Sequence, residues 1–124
     1  HPKDDFEAAH HEAMMHHVED LRGHVGPTIR IADPEEKRRV REGLVASYLP
    51  VWAEQTERQL GDGPFFAGDK LHVVDLKLYL AVRWFAGGKV DHIPATIFAA
   101  YPKLNRIHDA VRDHAGVRSW YAKG

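Results

Sequence analysis

The sequence predicts an all-α domain, a helical bundle of five to six helices. Apolar residues recur every three or four positions along four long segments, which is the period of a helix. Two of these segments open with a proline, a residue favoured in the first turn of a helix. Because no segment alternates apolar and polar residues for long enough to form a strand, we expect no β-sheet.

The first helix is predicted from residue 4 to about residue 24. Its apolar positions step by threes and fours, and they are Phe6, Ala9, Ala13, Met14, Val18, Leu21 and Val25. Gly23, Gly26 and Pro27 follow and are expected to end it.

The second helix is predicted from Asp33 to about Leu60. Asp33 is a favourable cap, Pro34 takes the first helical position and Glu36 the capping-box position. Pro50 lies inside this helix, where it removes one backbone hydrogen bond. We therefore expect a kink at this point in a single helix.

One run of basic residues lies on this second helix, namely Lys37, Arg38, Arg39 and Arg41. Three glutamates, Glu35, Glu36 and Glu42, lie among them, so we expect a solvated, salt-bridged face. The formal net charge of the chain is −1, which argues against nucleic acid as a partner.

The third helix is predicted from residue 73 to about residue 85, and it is apolar on nearly every side. A helix of this kind belongs in the centre of a bundle, so we expect Tyr79, Trp84 and Phe85 in the core. The glycine pair 87–88 is expected to stop it.

The start of this helix carries a capping box with His72 at the cap and Asp75 at the third helical position. Leu71 and Leu76 occupy the positions of a hydrophobic staple. Asp75 can accept a hydrogen bond from the N–H of residue 72, and a buried helix start needs such acceptors. We therefore expect a structural role for Asp75, with His72 as a weaker cap than a hydroxyl.

Three further elements are predicted in the rest of the chain. Residues 93–100 are expected to form a helical turn, and a fourth long helix opens at Tyr101-Pro102 and closes near residue 114. A short final helix is expected at residues 117–122, where it presents Trp120.

The bulk composition limits the function classes. A chain of 124 residues is expected to form one domain, residues 1–124. It has no cysteine, so thiolate catalysis and Cys-ligated zinc are excluded. No apolar run approaches the ~20 residues that cross a bilayer, so we expect no membrane partner. Since the sequence begins at His1 rather than Met, we expect it to be a piece of a longer protein.

Five of the ten histidines lie in the first helix, and they are His10, His11, His16, His17 and His24. No two histidines have the i, i+4 spacing that zinc sites on helices prefer. Glu12, His16 and Asp20 do have that spacing, so a histidine-rich metal-binding bundle is one alternative. A polar surface stripe explains the same pattern, and no metal is predicted.

Five features in order resemble the helical C-terminal domain of cytosolic glutathione S-transferases of the alpha, mu, pi and sigma type. The capping box of the third helix follows a Phe-x-x-Gly-Asp segment at residues 65–69, as in that family, although His72 replaces the usual Ser or Thr. The remaining features are Val-Glu-Asp-Leu-Arg at 18–22, Pro50 in a kinked second helix, the segments before and into the later helices at 90–94 and 101–104, and the tryptophan-bearing ending at 117–121.

The resemblance implies an enzyme that joins the thiolate of glutathione, its co-substrate, to a small electrophile or reduces a peroxide with it. A thioredoxin-like N-terminal domain would hold glutathione and supply the catalytic hydroxyl. That domain is not in this chain, so the segment alone should be inactive. The resemblance further implies a cytoplasmic detoxification enzyme and a homodimer formed through the first two helices.

The resemblance also assigns residues. Asp20, with Glu19 beside it, matches the acidic position that reaches across the dimer to the γ-glutamyl ammonium of the partner's glutathione. Residues 23–30 are expected to form part of the co-substrate wall. Two alternatives remain open at this stage: both acids are simply solvated, or the chain is a non-catalytic protein-interaction scaffold of the same fold.

Overall fold

Five α-helices and one short 3-10 helix make up the part of the chain that the structure describes, residues 4–114 of a computed structural model. They are α1 (Asp5–Val25), the 3-10 helix (Gly26–Arg30), α2 (Pro34–Ala46), α3 (Tyr48–Gln59), α4 (Val73–Ala86) and α5 (Pro102–Asp113). Within these residues the only β-type pairing is an isolated bridge between Phe65 and Gly68. The all-α prediction is confirmed. The predicted helix at 117–122, with Trp120, lies outside the described residues.

Helix α1 carries the predicted apolar stripe. Asp4 caps it by accepting the N–H of Glu7 at 2.7 Å, and the chain passes into the 3-10 helix at Gly26. The apolar residues that α1 buries are Met14, Val18, Leu21 and Val25. Phe6 shares their spacing but is 84% exposed, and Ala9 and Ala13 are exposed as well, so the predicted stripe packs only from Met14 onward.

The second predicted helix is two helices, because the chain breaks at Ser47 rather than bending at Pro50. Pro50 has no N–H to offer the carbonyl of Ala46, and its ring would clash with that carbonyl in a continuous helix. At the break, the amide and hydroxyl of Ser47 both donate to the carbonyl of Gly43, at 3.1 and 2.9 Å. The proline therefore stops α2 and leaves Tyr48 as the first residue of α3.

Helix α4 packs against α1 and α5 and supplies much of the core. Phe85 is buried as predicted, whereas Tyr79 and Trp84 are only partly buried and pack against the core from its edge. Leu80 is 56% exposed, so α4 is not enclosed on every side. The apolar run at 73–85 therefore has an uncovered face among the described residues.

The basic run of α2 divides between surface and interior. Arg38 pairs with Glu35 and Glu42 on the surface, as expected for a solvated face. Arg41 is buried, and its Nε donates to the hydroxyl of Thr28 at 2.8 Å while Nη1 donates to the carbonyl of Asp91 at 3.2 Å. The expectation of a fully solvated run is therefore wrong at Arg41, which connects α2 to the 3-10 helix and to the loop after α4.

The N-terminus of α5 is capped by a side chain from another helix. Tyr101 precedes α5 and makes no side-chain capping bond. The carboxylate of Glu57, on α3, instead accepts the N–H of Lys103 at 2.7 Å and that of Leu104 at 2.9 Å. A carboxylate at this position also favours the positive end of the helix, so Glu57 fixes α5 against α3.

We predict that Glu57→Gln lowers the free energy of unfolding by about 1 kcal/mol, because an amide keeps one acceptor but loses the charge and turns a donor toward an N–H. Urea denaturation followed by circular dichroism measures the change. Glu54→Gln, at an exposed position on the same helix, is the matched control and should leave the midpoint unchanged. Equal midpoints for the two variants would contradict the capping role.

Candidate functional site

Asp20 lies on the exposed side of α1, and two neighbours hold it. Its side chain is 58% exposed, and its Oδ2 accepts the hydroxyl proton of Tyr48 at 2.6 Å. Burial, followed by the hydrogen bond to Asp20, raises the pKa of Tyr48 far above its usual value. The phenol therefore remains a donor at every ordinary pH and fixes one carboxylate oxygen.

His24 completes this arrangement one helical turn later. Its Nδ1 donates to the backbone carbonyl of Asp20 at 2.8 Å and lies 3.8 Å from Oδ2. The imidazole stacks on the ring of Tyr48, with the centroids 3.8 Å apart. Within residues 4–114 no donor bonds to Oδ1 of Asp20, so this oxygen can accept an external donor such as an ammonium group.

Glu19, the neighbour of Asp20, faces different surroundings. Its Oε1 lies 3.2 Å from Nζ of Lys77 on α4 and 3.4 Å from Nη1 of Arg22. The hydrogen bond from Lys77 is the main reason that the pKa of Glu19 lies below its usual value. Glu19 thus joins α1 to α4, whereas Asp20 has an oxygen available for a ligand.

A groove of about 790 Å³ runs between α1 and α4 beside Glu19. Gly23, Gly26 and Ile29 line it from the segment predicted as co-substrate wall, residues 23–30. Leu80 and Trp84 line the opposite side. The groove is mainly apolar, and charged side chains stand at Glu19, Arg22, Lys77 and Arg83.

Asp75 is fully buried at the start of α4 and binds two backbone amides. Its Oδ2 accepts the N–H of His72 at 2.8 Å and its Oδ1 accepts the N–H of Phe66 at 2.7 Å. Burial raises the pKa of Asp75, while the amides of Phe66 and His72 oppose that rise. One carboxylate thus binds both the cap residue and the loop before it.

The side chain of His72 takes no part in capping. Its Nδ1 lies 3.0 Å from the carbonyl of Lys70, to which it can only donate, so that nitrogen cannot accept the amide of Asp75. The Asp75 amide instead donates to the backbone carbonyl of His72 at 3.0 Å. The capping interaction therefore runs from Asp75 to the backbone of His72.

Sequence reasoning missed two residues of this site. Tyr48 bonds to a residue 28 positions earlier, and Lys77 pairs with a residue 58 positions earlier. Neither position carries a local motif, because both contacts arise only when the helices pack.

No metal or membrane feature accompanies the site. Among residues 4–114, no group of three or more ligand side chains is arranged to hold a metal ion. In the same part of the chain, no helix combines the length and the apolar character needed to cross a bilayer.

We predict that Lys77→Met raises the pKa of Glu19 toward its ordinary value, because the largest interaction that favours the charged carboxylate is removed. A carbon-detected NMR titration of the Glu19 carboxyl measures the change. Lys70→Met, at an exposed position before α4, is the control and should leave that titration in place. An unchanged Glu19 curve in Lys77→Met would show that the pair does not form in solution.

We also predict that Asp75→Ala destabilises the fold by about 1–3 kcal/mol, because two partly buried amides lose their acceptor. Thermal and urea unfolding measure the loss. Asp69→Ala removes an exposed acid from the same loop and should cost almost nothing. A similar loss from both changes would mean that the buried carboxylate is not the stabilising element.

The comparisons with known proteins agree with the helical architecture. The sequence profile described as "Glutathione S-transferase, C-terminal domain" matches residues 19–124, so the match begins inside α1. The search of curated proteins gave no match, and neither did the search of solved structures. Since the profile covers most of the chain and the described residues form an all-α bundle, the chain belongs to the glutathione S-transferase C-terminal domain family.

Proposed function

We propose that this chain is the helical half of a glutathione transferase and that Asp20 binds the γ-glutamyl ammonium of the glutathione held by the partner subunit. The observation that carries the proposal is the state of Asp20. Its carboxylate is exposed, is fixed by Tyr48 and His24, and keeps one oxygen without an internal donor. An ammonium group fits that oxygen, because a charge-assisted hydrogen bond needs an ionised acceptor in a defined position.

Glu19 has a different role in this proposal. Lys77 and Arg22 already neutralise it, so it contributes little attraction for a ligand cation. It holds α1 at a fixed distance from α4 and thereby keeps Asp20 in place. The assignment of a glutathione contact is therefore centred on Asp20, with Glu19 as a positioning residue.

The groove between α1 and α4 is the part of the chain that we propose as the co-substrate wall. Its apolar surface at Ile29, Leu80 and Trp84 suits the hydrophobic body of an electrophile or a peroxide. The reaction itself, attack by the glutathione thiolate, needs a thioredoxin-like domain and its hydroxyl. We propose that the two parts act together in a homodimer formed through α1 and the α2–α3 pair, and that the enzyme serves detoxification in the cytoplasm.

The test uses the full-length polypeptide that carries this domain. Asp20→Asn should raise KM for glutathione about threefold to tenfold, because the ammonium loses its anionic acceptor in a partly exposed site. The value of kcat should change little, since the contact lies far from the reacting sulfur. Initial rates with a chromogenic electrophile, measured over a range of glutathione concentrations, give both constants.

Glu12→Gln, which removes an exposed acid from the same helix, is the matched control, and it should leave KM for glutathione within about twofold of wild type. Equal KM values for Asp20→Asn and wild type would refute the glutathione contact. If the full-length wild type turns over no electrophile or peroxide and binds no glutathione, the interaction-scaffold alternative replaces the enzyme.

A further inference from the structure

The histidines of α1 connect that helix to its neighbours. His10 and His11 pack on Phe66, whereas His17 stacks on Trp52 with its Nε2 2.9 Å from the hydroxyl of Thr56. All three lie before residue 19, where the match to the family begins. They are therefore a feature of this chain that the proposed transferase function does not account for.

His11 is the most unusual of them. It is 5% exposed, and its Nε2 has no hydrogen-bond partner in the part of the chain that the structure describes. Its ring meets the rings of Phe66 and His72 edge-on, at centroid distances of 5.1 and 4.9 Å. A buried nitrogen without a partner weakens the folded state, so this position is sensitive to any change in its charge.

The two rings that His11 contacts belong to the anchoring residues of the loop before α4. Asp75 binds the amide of Phe66 and the amide of His72, as described above. His10 adds a stacked contact on Phe66, with the centroids 4.6 Å apart. The N-terminal half of α1 therefore touches the loop, residues 65–72, at the points where Asp75 attaches that loop to α4.

We propose that His11 makes this contact acid-releasable: protonation of its imidazole separates the N-terminal half of α1 from the loop at 65–72. An imidazolium cannot remain between the rings of Phe66 and His72 without losing its hydration. The nearest acid is Glu7, one turn earlier on α1, whose Oε1 lies 3.8 Å from Nε2 and whose side chain is 28% exposed. The charged ring moves toward Glu7 and water, and so away from the loop.

The charged groups around His11 come from three elements. Glu7 and His10 face it from α1, His72 from the loop and Asp75 from α4. Burial is the main cause that lowers the pKa of His11, and His72 adds to it, whereas Glu7 and Asp75 act in the opposite direction. A second groove, of about 630 Å³, lies between α1 and the start of α4. Glu12 and His16 line it together with His11 and His72.

The direction of the pH effect follows from the lowered pKa of His11. With a folded-state pKa below that of the unfolded chain, the unfolded or opened state binds more protons between the two values. The contact is therefore at full strength above pH ~6.5, the ordinary histidine pKa, and it weakens as the pH falls below that value.

Amide hydrogen exchange by NMR tests the proposal on this chain, with rates corrected for the intrinsic pH dependence of exchange. Between pH 7.5 and pH 5.5 the protection of the Phe66 and His72 amides should fall at least about threefold more than that of buried Ile107 on α5. In His11→Phe this excess fall should disappear, because the ring remains neutral. His16→Gln, which removes an exposed histidine from the same helix, should behave as wild type.

Two results would overturn the proposal. One is an equal loss of protection at Phe66, His72 and Ile107, which would mean general acid unfolding without local release. The other is an unchanged excess fall in His11→Phe, which would place the titrating group elsewhere. If His11→Phe does not fold, Glu7→Gln decides: release should shift to lower pH, and an unshifted profile refutes the role of His11.

Discussion

The buried carboxylate of Asp75 is the constraint on which the junction between α4 and the loop at residues 65–72 depends. A buried carboxylate is costly unless hydrogen bonds compensate it, and here one oxygen binds the amide of His72 and the other that of Phe66. The loop is thereby closed onto the first turn of α4. The helix onto which this loop closes, α4, packs against both α1 and α5.

Caps within one segment could be predicted from the sequence, and caps between segments could not. Asp33 accepts the amide of Glu36 three residues later, and Asp75 accepts that of His72, so both follow from local spacing. Glu57 caps α5 from α3, although it lies 46 positions before Lys103 in the sequence. That partner is chosen by the packing of two helices, which periodicity alone does not determine. Arg41 shows the same limit, because its partners lie in the 3-10 helix and in a distant loop.

The candidate site was likewise only partly predictable from the sequence. The role of Asp20 was predicted from the resemblance of the stretch at 18–22, but its hydrogen-bond donor, Tyr48, was not predicted. Pro50 ends the run of α2 hydrogen bonds, the chain restarts at Tyr48, and the phenol then reaches the carboxylate on α1. The partner of Asp20 was not predicted because this contact forms only when α3 packs beside α1.

Helix α1 carries both the proposed ligand contact and the proposed acid response, but different chemical groups hold its two halves. At its C-terminal half, Asp20 is bound by a phenol whose raised pKa keeps it a donor across the whole physiological range. At its N-terminal half, His11 contacts the loop only while its ring is neutral. Acid that protonates His11 leaves the hydroxyl of Tyr48 a donor to Asp20, because the phenol keeps its proton. The first turns of α1 can therefore leave the loop while the hydrogen bond between Tyr48 and Asp20 remains.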